Sequence, residues 1–505
     1  MAADRRTLII AVVAMIALVS VGIVSAAVFT GSACQEISPT AVATADGDGS
    51  LDALLGELSP AAATAVERQV TELAGQFGAV SGVAVVDGAD GLTATPSGPV
   101  ATGTITSLLA DPGHAVTAAA DLGTGVVVGD GDALLSLARV NDLTGQVDAF
   151  ASIDTTPTEA LTEIGCVDTA TVGTPLAFEL DAGDGQLLLF RADEDGDDAE
   201  VELRDPREGR LWFTRVDVGM APPGVTGERI DGRLGGDVAV LVRRTAPGED
   251  VPLVTAFDRG DGAQRWQLDR AALMAGDDGV IRDDAVQRLE ILALDPHQVV
   301  VAVTEARDED AVVAGGTEAL GPSVGPGHVV ALDLRDGTPR WQQPVAAGVA
   351  VPAVGTTGTA TWIVLDDADQ VRLIGLDPTG QPLDATGESV LATADVRADE
   401  VGDGHAMTAA VVPLPADPDA TTSPVLALLG EQLVVARPRA RDVEVASSVA
   451  PDGLVPRDAL VREGRLHVLF DWPPRDGAGS TAPSDATAGA AGEGRGVVVS
   501  FDLEG

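Results

Sequence analysis

One spacing recurs in this chain and limits its fold more than any other feature. Val254-Thr-Ala-Phe-Asp258 is followed by Gly262 and Trp266, and Val330-Ala-Leu-Asp333 by Gly337 and Trp341. The steps from Asp to Gly and from Gly to Trp are the same in both copies. Asp205, Gly209 and Trp212 form a looser copy; Asp142-Leu-Thr-Gly145 and Leu376-Asp377-Pro-Thr-Gly380 are shorter echoes, and the chain stops on Phe501-Asp502-Leu-Glu-Gly505. Alternating Val330, Leu332 and Leu334 suit a strand with a buried face. Asp followed by Gly suits a tight turn, because Asp bonds its own backbone and Gly accepts positive φ. The Trp on the next strand is placed to pack between neighbouring sheets.

A four-stranded antiparallel sheet cannot bury both faces alone, so the copies must stack. Anchors about 40–75 residues apart match the blades of a β-propeller rather than helical repeats. The template lays one blade over 348–355, 360–366, 369–377 and 380–387, and others over 113–155, 165–218, 225–270, 287–346 and 404–449. The last has only three strands, 454–461, 465–471 and 496–502. Val80-Ser-Gly-Val-Ala-Val-Val86 has no blade of its own and is expected to supply the missing outer strand. The fold class is therefore all-β, a seven-bladed propeller. Six to eight blades stay compatible, since 93–110 has room for a further hairpin.

The Ala/Val-x-Asp-x3-Gly-x3-Trp repeats resemble those of the PQQ-like, or quinoprotein-type, β-propellers. The resemblance covers about 110–505 and is close only at Asp258–Trp266 and Asp333–Trp341. It implies the fold. Many members bind no quinone and act as assembly or interaction scaffolds, so a non-catalytic type is the expectation it carries. Catalytic quinoproteins carry a vicinal cysteine pair and a calcium ligand set that includes Asn. Here Cys34 and Cys166 are far apart in sequence and Asn141 is the only Asn, which argues against quinone catalysis.

Leu8 to Phe29 is a run of 22 residues without a charge. As a helix it spans about 33 Å, enough for a hydrocarbon core of ~30 Å. Arg5 and Arg6 precede it and acids follow from Glu36, so the positive-inside rule puts the bulk of the chain outside the cytoplasm. The reading is a single-pass membrane anchor over 1–33 (or a signal peptide), a tether and amphipathic helix over 34–79, and the propeller over 80–505. Gly31-Ser-Ala33 before Cys34 leaves a lipoprotein anchored at Cys34 as the alternative. Two fates stand for the second cysteine: a disulfide with Cys34, or Cys166 as a buried apolar residue beside a lipidated or free Cys34. Ser59 and Pro60 open a helix, Val66, Val70, Leu73 and Phe77 form its apolar stripe, and Gly78 closes it.

The charge is −47, and all 31 basic residues are Arg. Such a chain repels phosphate backbones, so no nucleic acid is expected as a partner. Codon usage accounts for the missing Lys and Tyr; a hydrated acidic surface remains as the second source of the acid excess. Chemistry-bearing residues are few. His114, His297, His328, His405 and His467 are scattered without metal spacing, so no metal site is assigned. Gly321-Pro-Ser323-Val-Gly325 has the nucleophile-elbow letters in a loop leading into a strand, the wrong context. Asp46, Asp48, Ser50, Asp52 and Glu57 fit an EF-hand template except for Leu51 where Gly is needed. Asp193-Glu-Asp-Gly-Asp-Asp198 lacks the spaced terminal Glu. Solvated acidic turns explain both, with weak Ca2+ binding the sharper alternative. Of Trp212, Trp266, Trp341, Trp362 and Trp472, the first three sit at repeat positions, where blade packing explains them better than a carbohydrate site.

No catalytic, cofactor-binding or metal residue is assigned. Asp205, Gly209, Trp212, Asp258, Gly262, Trp266, Asp333, Gly337 and Trp341 are structural. The function expected is a membrane-anchored extracytoplasmic binding or scaffold module, held by residues 8–29, for a protein or cell-envelope ligand. The alternative is a quinoprotein-type oxidoreductase or other enzyme with its site at the propeller channel. A sensor signalling through the membrane helix is a third reading, weakened by the short segment before Thr7.

Overall fold

The computed structural model describes Cys34, residues 41–43 and residues 51–87 apart from 57. From there to residue 503 it describes the strands and some of the turns between them. Residues 1–33 and the longer loops, among them 218–229, 306–322, 396–408 and 473–494, fall outside the described residues, so the membrane segment expected over 8–29 does too. No described helix is long and apolar enough to cross a membrane.

The described strands form eight sheets, two of five strands and the rest of four. All their pairings with one another are antiparallel. In chain order the sheets cover 89–118, 125–168, 175–217, 230–268, 287–345, 350–395, 409–449 and 456–502. This is one more than the seven laid out from the sequence. The additional sheet is built from Ala89–Thr95, Gly98–Gly103, Ser107–Asp111 and His114–Ala118; it takes in the stretch 93–110 with room for a hairpin and also His114–Ala118, which the sequence template lays into the blade over 113–155.

Two other boundaries move. Thr162–Asp168 belongs to the second sheet, pairing with Val147–Asp154, and does not open the third. A local hairpin decided this, and strand alternation alone cannot say which neighbour a strand joins. The outer strand expected at 380–387 is instead Val390–Asp395. Pro382, which has no N–H to give a ladder, makes only an isolated bridge to Leu376.

The first strand of each sheet forms a shared inner edge. Pro175–Leu180 lies against Ile230–Gly235, that against Gln287–Leu294, then Ala350–Thr356, Ala409–Pro413 and Pro456–Arg462. Pro456–Arg462 in turn meets Ala89–Thr95, which meets Gly125–Gly129. The series thus runs from the third sheet through the eighth and on, across the chain ends, to the first and second. At that crossing Val80–Asp87 pairs along Arg495–Asp502, with Val83 opposite Val499, and completes the eighth sheet.

The cores lie between successive sheets. Val238, Val240 and Val242 face Val299, Val301 and Val303, while Ala239 and Leu241 on the same strand face Phe190 and Leu203. A strand buried on both faces needs an unbroken apolar run, which is why Val238–Arg243 and Gln298–Glu305 do not alternate.

The N-terminal stretch is tied down at four places. Cys34 and Cys166 form a disulfide with their Cα atoms 5.8 Å apart. This is the first of the two fates set out for the second cysteine. Ala41–Ala43 adds a fifth strand beside His114–Ala118, so the tether expected within 34–79 contains a strand. Helix Pro60–Phe77 is capped by Ser59, whose Oγ accepts from Ala62 N at 3.3 Å. Its apolar stripe joins Phe470, Val499 and Phe501 in one core. Buried Gln69 pairs with the backbone of Leu454 in both directions, at 2.9 and 2.8 Å. The strand Val80–Asp87 is the fourth tie.

Candidate functional site

The repeat turns are the most regular local structure. Asp258 Oδ1 accepts from Gly260 N at 2.8 Å, and Gly262, at φ 72°, returns its N–H to the Asp258 carbonyl at 2.8 Å. Asp333 repeats the arrangement with Arg335 N and with Gly337 at φ 75°. Asp205 accepts from Arg207 N and Glu208 N, and Asp377 from Thr379 N and Gln381 N.

Each Trp reaches into the next sheet's turn. A Cβ on Gly262 would stand 2.7 Å from the Trp212 ring, and one on Gly337 2.8 Å from Trp266. Trp212 Nε1 donates to Arg259 O at 2.6 Å and Trp266 Nε1 to Leu334 O at 2.9 Å, the residue after the turn Asp in both cases. Trp341 packs against Gly380 in the same sense, although its Nε1 finds no acceptor among the described residues. Glycine is required here twice over, for the positive φ and for the ring that occupies the Cβ position. Of the nine repeat residues, Trp212 meets Gly262 across the third–fourth junction and Trp266 meets Gly337 across the fourth–fifth, while Trp341 meets Gly380 across the fifth–sixth. Gly209, at φ 83°, has no ring against it.

Sequence reasoning missed the partners of the turn acids. Arg265 bonds Asp258 and Asp237 at 2.8 and 2.7 Å, and Arg340 bonds Asp333 at 2.7 Å. The Arg265 hydrogen bond holds the carboxyls of Asp258 and Asp237 below the usual range. Burial pushes Asp333 up, but the hydrogen bonds from Arg340 and Arg335 outweigh it and the net shift is downward. Asp377 is likewise lowered against its burial by Thr379 and the turn N–H groups. The available signal was an Arg directly before Trp in both close copies, where the looser copy has Leu211.

Two further charged groups lie in the sheets. Glu202 is buried on the third sheet between Arg191, at 2.6 Å, and Arg204. Arg243 is buried where the third and fourth sheets meet, held by Asp217 O and by Thr255 Oγ1 at 2.5 Å. Desolvation lowers its pKa to about 10, partly offset by Asp217.

The remaining candidates do not converge. His328 and His467 are buried in different sheets, and His467 Nδ1 is 2.7 Å from Ser500 Oγ. His297 lies in a turn and His405 outside the described residues. No group of three His, Cys, Asp or Glu that could hold a metal occurs among the described residues. Ser323 leads into the strand Gly327–Asp333, with no helix behind it. Leu51–Leu55 is helical, so the second half of the EF-hand template is no loop, and 193–197 falls outside the described residues. Trp362 is buried in the core between the sixth and seventh sheets.

One surface strip stands out. On the outer strand Gly209–Asp217 of the third sheet, Leu211 is 38% and Phe213 52% exposed, and the Arg210 guanidinium lies 4.9 Å from the Phe213 ring centre. This strand is the last in its sheet, so one side of its backbone carries no neighbouring described strand.

No protein-family model matches the chain, and no curated protein matches it. Solved structures do. BamB from Moraxella catarrhalis aligns at 13% identity over 84% of this chain and 99% of its own, with a TM-score of 0.29. A prolyl endopeptidase structure aligns at 11% identity over 82% of this chain and 60% of its own, with a TM-score of 0.39. The β-propeller domain of the Trilobed protease from Pyrococcus furiosus, described as having an open velcro topology, aligns at 10% identity over 72% of this chain and 95% of its own, with a TM-score of 0.34.

Proposed function

We propose that the chain is an eight-bladed β-propeller, held in a membrane by residues 8–29 outside the cytoplasm, that binds a partner protein. The eight sheets would be the blades. The shared inner edge and the closing strand Val80–Asp87 support the ring. The Cys34–Cys166 bond supports an oxidising compartment, and it favours an uncleaved anchor over a lipidated Cys34.

The observation that carries partner binding is the strip Arg210–Leu211–Phe213. Exposed aromatic and Arg side chains are enriched where proteins bind, and the outermost strand of a sheet can pair its backbone with an extended segment. The occupant is an extended segment of another protein, with a carboxylate reaching Arg210. A photo-crosslinking residue at position 213 in native membranes should give one discrete protein adduct. That adduct should be lost in Arg210→Glu, and the same residue at position 342, on the fifth sheet's outer strand, should not give it. Identical adducts from both positions, or none from 213, would reject the strip as the binding surface.

A further inference from the structure

The cystine holds Cys34 at the outer rim of the second sheet, and the added strand holds Ala41–Ala43 at the outer rim of the first. Cys166 lies on Thr162–Asp168, the outer strand of the second sheet, and Ala41–Ala43 lies outside His114–Ala118 on the first. The uncharged run ends at Phe29, five residues before Cys34. Whatever path those five residues take, an extended chain covers at most about 18 Å.

We propose that this strap turns the outer rim of the first and second sheets toward the bilayer, so that lipid headgroups are the partner of that rim. The inference rests on the membrane-held reading above. The fifth sheet, four places round the series from the first, then faces away from the membrane. A chain of charge −47 is repelled by anionic headgroups and, on a loose tether, would swing outward. The cystine opposes that. Without it the first tie is Ala41, twelve residues from Phe29, and the reach grows to about 43 Å.

The test uses the full chain in vesicles of phosphatidylcholine and phosphatidylglycerol that carry a headgroup acceptor dye. A donor is placed bioorthogonally at position 118 or at exposed position 335, and vesicle flotation is scored alongside energy transfer. Transfer from 118 should exceed that from 335 at least about twofold. The ratio should fall toward one in Cys34→Ser/Cys166→Ser while flotation persists. A second variant keeps the cystine and inserts twelve Gly/Ser residues after Phe29; it should lose the ratio too, whether or not the serine variant folds. Equal transfer from both positions in floating native protein overturns the orientation alone. Failure to float overturns the anchor and the orientation together.

Discussion

The third to sixth sheets and the remaining four are joined by different means. At the junctions between the third, fourth, fifth and sixth sheets a Trp ring sits where a glycine has no Cβ, with Nε1 bonded across two of them. These contacts repeat and are local in sequence. The second, first, eighth and seventh sheets are instead crossed by one N-terminal stretch: a cystine on the second, a strand on the first, a strand completing the eighth, and a helix packed on the eighth and seventh. One arc carries a repeated side-chain motif at its junctions; the other carries, besides its own inter-sheet core, a single strap from far away in the sequence. A chain that stacks sheets in series gains stability from each neighbour contact, so the two arcs should fail separately.

The largest separation should come from the cystine. It closes a sequence separation of 132 residues, worth about 5 kcal/mol in the chain-entropy account. Cys34→Ser/Cys166→Ser should split thermal unfolding into two steps. Hydrogen exchange in 125–168 should rise while 230–345 stays protected. A uniform rise across all sheets would remove the distinction between the arcs.

The mirror experiment is Trp266→Ala, expected to cost about 3–5 kcal/mol by emptying the fourth–fifth junction. Gly337→Ala should follow at about 2–4 kcal/mol, combining an unfavourable positive φ with a clash on Trp266. Scanning calorimetry should place both losses in the transition that the cystine variant leaves intact. Gln69→Leu belongs to the other arc: it leaves the buried Leu454 N–H and carbonyl without their partner, at about 1–3 kcal/mol.

What the sequence made legible follows the same division. The turn geometry at Asp258 and Asp333 was readable because one residue type does one job there: an acceptor for the turn, a glycine for positive φ, a ring for the next sheet. Helix 60–77 was readable from Ser59, Pro60 and Gly78 for the same reason. The pairing of Cys34 with Cys166 was left open, since two cysteines carry no information about distance. The first sheet was hidden because Ala89–Ala118 is poor in large apolar residues and has no Asp-x3-Gly-x3-Trp copy. Gln69 and Glu202 could not be found, because a buried polar residue has meaning only through partners brought up by the fold. The strip at Phe213 was equally silent, since an outward-facing Phe and an inward-facing one look alike in a strand.

The smallest expected effect, and the one most specific to the Trp-joined arc, is its response to acid. Asp258, Asp333 and Asp377 are held below the ordinary carboxylate range in the folded protein, whereas in the unfolded chain they titrate near about 3.9. A folded carboxyl with a depressed pKa contributes stability that is complete above the unfolded value and is lost as pH falls through the folded one. Melting temperature should therefore show no dependence on these three acids from pH 7 down to about 4.5, and the arc should weaken below about 4. The charge of −47 acts with the opposite sign, because protonating surface acids relieves repulsion, and added salt should diminish that repulsion. Asp258→Asn/Asp333→Asn/Asp377→Asn should lower stability at pH 7 and flatten the acid limb of the Trp-joined transition, leaving the strap-held transition unchanged. An acid limb as steep in the triple variant as in the native chain would show that these turns do not set the acid sensitivity of this arc.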